Sequence, residues 1–148
     1  MTAAKRTPVA DQLLSDTKVL HSRVAKLDFT PSQLGNGAKE LLDEVATGKV
    51  TGEEEIWSRT DLWDFQANVD GARIAFEVLE PVVVAKDPAL ATTLTARFAT
   101  VQALLDSHRV NDGFTLYQNL SPTEIKTLAD AVNALSEPLS KLTAAVVL

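Results

Sequence analysis

Leu62, Phe65, Val69, Ala72, Phe76, Leu79 and Val83 follow one another at spacings that alternate three and four without a break. Only an α-helix returns side chains to one face at that interval, and a seam of this kind is how one helix packs against others in a bundle. Four further segments repeat the pattern. Leu13, Thr17, Leu20, Val24 and Leu27 predict a first helix with one buried stripe, starting near Pro8. Leu34, Leu41, Leu42 and Val45 predict a shorter second one, to about Ala46. Leu90, Leu94, Phe98, Val101 and Leu105 predict a fourth, and Ile125, Leu128, Val132, Leu135, Leu139, Leu142 and Val146 a last.

Local chemistry marks the ends of these segments. Thr30-Pro31, Asp87-Pro88 and Ser121-Pro122 each place an N-cap residue before a proline at the first helical position, where its missing N–H costs nothing. Ser121 with Glu124 forms a capping box, and Thr60-Asp61 caps the long third helix. Gly48 is a C-terminal stop, and His108-Arg109 place cations at the negative end of the fourth helix. Gly35 and Gly37 weaken the start of the second helix. Pro81 predicts a kink or an end, and Pro138 a kink. Asp112-Gly113 marks a turn, and residues 50–60 are the least regular stretch. The fold expected is all-α: one domain over residues 1–148, an up-and-down antiparallel bundle of four main helices and a shorter one.

Composition narrows the functional classes. The net charge of −6 argues against binding a phosphate backbone, so no nucleic-acid partner is expected. Without cysteine there is no disulfide, thiolate zinc site or cysteine nucleophile. No apolar run reaches the ~18 residues of a membrane span, and the opening MTAAKRTPVADQ has no hydrophobic region that would read as a signal peptide.

Catalytic candidates are few. His21 and His108 lie on different helices with no third group placed to orient them, and both read as structural. HExxH, GxSxG, the phosphate-binding loop and the dinucleotide fingerprint are absent, so no enzyme activity is expected. The acidic residues are more informative. Glu53, Glu54 and Glu55 lead into Asp61 and Asp64, with Asn68 one turn on and Glu40, Asp43 and Glu44 on the preceding helix. Hard cations prefer oxygen ligands, so converging carboxylates would hold one. Against this stands a plainer reading, in which Asp61 is a cap or helix-dipole partner and the glutamates form a solvated loop. Trp57 and Trp63 flank the stretch, as cleft walls or as packing anchors.

Gly52–Glu55, followed by the pattern S-x-T-D-L-W-D-F-x-A-N-x-x-G-A from Ser58 to Ala72, resembles the C-terminal half of EfeO-type imelysin proteins, and Ser136–Val147 is similar to their last helix. The resemblance implies an imelysin-like half in the periplasm or cell envelope, serving iron uptake without catalysis. Its implied partners are an iron permease, a peroxidase-like protein and the N-terminal half of the same domain. Iron or another divalent or trivalent cation is the implied ligand, held weakly or not at all by this half. Glu44, Glu54, Glu55 and Asp61 are the residues placed nearest the family's acidic site. Two departures stand out. The family's GxHxxE pattern is absent, since Val24 follows His21 and Asn111 follows His108 at the glutamate position, and Arg59 stands where histidine is common. An arginine does not ligate a metal at neutral pH. The chain therefore reads as a fragment, a separated domain or a truncated product. The competing functions are a helical interaction domain with no metal site and a metallopeptidase remnant.

Overall fold

The computed structural model describes residues 2–147, the side chain of Lys49 excepted. Six helices run as α1 (Ala3–Val24), α2 (Pro31–Thr47), α3 (Asp61–Lys86), α4 (Pro88–Ser107), α5 (Pro122–Leu139) and α6 (Leu142–Val147). Two-residue strands β1 (Arg109–Val110) and β2 (Gly113–Phe114) pair antiparallel between α4 and α5. The sequence reading anticipated only a turn there; Asn111 adopts the left-handed φ of 53° that closes it.

α2 packs on α3, α3 on α4, α4 on α5, and α5 returns to α2, which closes a four-helix ring. Asp87 alone separates α3 from α4. Two helices joined so tightly and packed side by side must run in opposite directions. The seam of α3 fills the middle of the ring, with Leu62, Phe65, Val69 and Val83 at most 1% exposed. Leu42 and Val45 from α2, Leu94 and Leu105 from α4, and Leu128 and Leu135 from α5 complete the core. Phe76 and Phe98 stack with centroids 5.7 Å apart, and Gln66 and Gln102 exchange amide hydrogen bonds of 2.9 and 3.0 Å across α3 and α4.

The N-terminal caps at Thr30, Asp87 and Ser121 form as expected, the first and last as complete capping boxes. Thr60 differs, because it precedes α3 without a side-chain cap bond and turns its hydroxyl to Ser58 at 2.9 Å. Gly35, expected only to weaken α2, is where α6 crosses it. A Cβ there would lie 2.5 Å from the Thr143 hydroxyl and 3.2 Å from its backbone. Pro81 neither ends nor splits α3, which continues to Lys86 with Pro81 exposed. Its missing N–H leaves a carbonyl one turn earlier to be met by solvent. α5 closes at Leu139 just past Pro138, and α6 resumes after Ser140 and Lys141.

α1 contradicts its expected role. It begins at Ala3, with Pro8 inside it, and none of its residues is buried. Leu13, Thr17, Leu20, Val24 and Leu27, read as a buried stripe, all face solvent. The periodicity specified a helix correctly but could not specify what the helix packs against. Leu42→Ala should therefore cost about 2–5 kcal/mol of stability. Leu20→Ala at low protein concentration should cost less than about 0.5. Urea denaturation followed by circular dichroism distinguishes the two.

Candidate functional site

The acidic loop between α2 and α3 has a fixed backbone. Gly52 sits at φ 69° and Arg59 at φ 61°, so the chain passes through the left-handed region at both ends of the Glu53–Ser58 stretch. Glycine adopts that region freely; an arginine held there costs of order 1 kcal/mol or more. Several bonds offset this cost. The Arg59 amide donates to the Glu55 carbonyl at 2.7 Å, and its guanidinium reaches the Gly52 carbonyl at 3.3 Å. The Arg59 carbonyl accepts from the Tyr117 amide at 2.9 Å.

Tyr117 closes the loop from behind. Its hydroxyl donates to the Val50 carbonyl, and its ring lies against Gly52, where a Cβ would come within 2.3 Å of a ring carbon. Nothing in the local sequence around Tyr117 links it to a loop more than sixty residues earlier. Residues 50–60 read only as the least regular stretch, and their glycine does not name the ring that fills the space beside it.

Asp61 is the first residue of α3 and is fully buried, at 0% exposure. Its Oδ1 accepts the Glu55 backbone N–H at 3.2 Å, while Oδ2 has no hydrogen-bond partner within the protein. A buried carboxylate oxygen without a donor is costly, of order 1–3 kcal/mol. Asp61 thus fastens the acidic loop to the start of α3 and retains one oxygen able to accept a further donor or a cation. Burial, and secondarily the charge of Asp61, raises the Tyr117 hydroxyl above its ordinary value of 10.0.

The four acidic candidates do not converge as a set. Asp61 and Glu55 meet, but through the backbone of Glu55, whose carboxylate accepts the Ser58 hydroxyl. Glu54 is exposed on the loop, close enough to Gly48 that a Cβ there would lie 3.6 Å from its Oε2. Glu44 is exposed on α2 and accepts from the Asn68 amide at 3.4 Å; the same amide reaches the Leu41 carbonyl at 3.2 Å. Asp43 is engaged by Lys39 at 2.5 Å and by Ser136 at 3.2 Å. Among the described residues, no three His, Cys, Asp or Glu side chains group as metal ligands would.

The two tryptophans part ways. Trp63 meets Phe114 edge-on at 5.4 Å and covers Gly113, whereas Trp57 is 97% exposed. His21 lies on exposed α1 rather than beside a buried stripe, and His108 terminates α4.

Two outcomes test this architecture. Gly52→Ala should destabilise the chain by more than about 1 kcal/mol, because it meets both the positive φ and the Tyr117 ring. Since the folded state holds the Tyr117 proton more firmly than the unfolded chain, this group's contribution is complete below pH 10.0 and is lost as pH rises through the folded value. Wild type should therefore lose more stability than Tyr117→Phe between about pH 9 and about pH 11, as read from urea midpoints.

Comparison with known proteins agrees with this architecture. The Imelysin family model matches residues 3–142. An Efem/EfeO family lipoprotein of Staphylococcus aureus (strain COL) is 46% identical over 134 residues, which is 90% of this chain and 47% of the relative. One from Staphylococcus haemolyticus is 46% identical over 133 residues, 90% of this chain and 46% of the relative. The chain thus spans about half the length of the curated relatives it matches. With residues 3–142 inside the match, the chain belongs to the imelysin family.

Proposed function

We propose that this chain is a non-catalytic part of an envelope-associated iron-uptake protein, in which the acidic loop and Asp61 contribute oxygen ligands to a cation in transit. One observation carries the reading: Asp61 is buried at the root of the Glu53–Glu55 loop with Oδ2 lacking a protein partner. Oxygen donors of this kind suit Fe³⁺ and other hard cations. Kinship with Efem/EfeO family lipoproteins supports the envelope setting. Ligands beyond Asp61 would come from rearranged Glu54 and Glu55 or from another polypeptide. The permease and the peroxidase-like protein implied by the resemblance remain the proposed partners.

A second reading, a helical interaction domain with no metal site of its own, is favoured by the lack of any three-ligand acidic group among the described residues and by the uncovered α1.

Titration of the purified chain with Fe³⁺-citrate, and separately with Cu²⁺ or Zn²⁺, separates the two readings. Saturable binding should disappear in the double variant Glu54→Gln, Asp61→Asn while the helical circular dichroism is retained. A folded wild-type chain that binds none of these ions would refute the metal reading for this half and leave the interaction reading standing.

A further inference from the structure

Among the described residues, Asp61 is the only charged side chain that is buried, and its Oδ2 has no hydrogen-bond partner. At 0% exposure, solvent does not touch it. Hard cations gather several oxygens around themselves. With the loop as it stands, Asp61 offers one unengaged oxygen and no way in. A site that takes up a cation here has to open first.

The segment laid against Asp61 is lightly held. Glu53, Glu54, Ile56, Trp57 and Ser58 are exposed and Glu55 is half-buried, so no side chain between Gly52 and Arg59 belongs to the core. The segment meets α3 through the Glu55 amide, which donates to Asp61 Oδ1 at 3.2 Å. Segments with few buried apolar contacts open at the low end of a protein's stability range. The flanks, by contrast, are pinned. Tyr117 donates from its hydroxyl to the Val50 carbonyl before the segment, and from its amide to the Arg59 carbonyl after it, at 2.9 Å. Gly52 at φ 69° and Arg59 at φ 61° lie where the pinned flanks meet the free stretch. Hinges are made of a few such residues that absorb a change in φ and ψ. Rotation at Arg59 returns it to the ordinary backbone regions, which offsets part of what opening costs. Its guanidinium, on the Gly52 carbonyl at 3.3 Å, clasps one hinge to the other.

We infer that Gly52–Arg59 is a lid over Asp61, closed by the Glu55 amide and the Arg59 clasp and lifted to admit a hard cation. The inference deepens the metal reading and rests on it. Lifting frees Oδ1 together with Oδ2, so Asp61 changes from the acceptor of a backbone amide into a ligand with two oxygens. The Glu55 amide and the cation thus compete for one carboxylate. The Glu54 and Glu55 side chains travel with the lid and are carried over the cation as it closes.

Hydrogen exchange followed by NMR on the metal-free 148-residue chain tests the lid without the cation. The Glu55 amide should exchange more slowly than a free amide, yet at least about 100-fold faster than that of Val69 in the core of α3, and mild urea should leave its rate unchanged. Arg59→Ala removes the clasp and should speed Glu55 exchange about fivefold. Tb³⁺, a hard trivalent cation whose luminescence a nearby tyrosine sensitises, reports uptake, since Tyr117 is close enough for the Asp61 charge to act on its hydroxyl. The uptake rate should level off as Tb³⁺ rises, because opening then limits it, and Arg59→Ala should raise that plateau by about two- to fivefold. Asp61→Asn keeps an acceptor for the Glu55 amide, so it should leave that amide protected and abolish the luminescence. A Glu55 amide that exchanges no faster than Val69, a plateau that Arg59→Ala does not move, or an uptake rate that climbs in proportion to Tb³⁺ would overturn the lid. A chain whose Glu55 amide opens as expected but that takes up neither Tb³⁺ nor Fe³⁺-citrate would instead refute the metal reading, and the gating role with it, while the motion stands.

Discussion

The seam of α3 is the constraint on which the rest of the fold depends. It supplies buried side chains along nearly its whole length, from Leu62 to Val83, and α2, α4, α6 and β2 all pack against the same helix. Burial of this kind has no direction, but the positions that deliver it are fixed by helical geometry. The direction of the chain before α3 is therefore fixed as well. Because Asp61 occupies the first turn and is buried, the acidic loop must end at one place and with its backbone facing one way. The loop's conformation thus follows from the core.

That dependence separates two kinds of acidic residue. Asp61 is structural first, an acceptor for the Glu55 amide, and any role toward a cation falls to its second oxygen. Glu54 and Glu44 are on the surface, and Glu44 is tied to α3 through the Asn68 amide. Polar and apolar contributions meet at Tyr117, whose ring excludes water from Gly52 and whose backbone and hydroxyl bind the two ends of the loop. A single side chain from beyond α4 therefore completes a segment that lies before α3.

What could be read from the sequence follows the range of the interaction. Caps at Thr30, Asp87 and Ser121 are decided within four residues, and they were legible. The core faces of α2 to α5 were legible for the same reason, since a period is a local property. The partner of a face is not local. Leu13 and Leu20 carry the same pattern as Leu94 and Leu105 yet face solvent, because none of the described residues covers them. Gly35 looked like a weak point for α2 because its use, the close passage of Thr143, lies more than a hundred residues away. At the site, the sequence singled out the acidic stretch and Asp61, and the structure buries Asp61 at the root of that stretch. It could not distinguish a carboxylate that ligates from one that accepts a backbone amide, because both need the same residue type.

The loop is braced from behind, and that has a consequence for how it can change over time. Its shape is set by Gly52, Arg59, Asp61 and Tyr117, none of which projects fully into solvent, while Glu53, Glu54, Ile56 and Trp57 point outward. Ile56 and Trp57 in particular can be exchanged without disturbing the brace. Such a segment behaves as a display platform on which new surface chemistry can be tried at little cost to folding. Divergence among related chains would be expected to concentrate on its outer rim, with Gly52, Asp61 and Tyr117 held more nearly fixed.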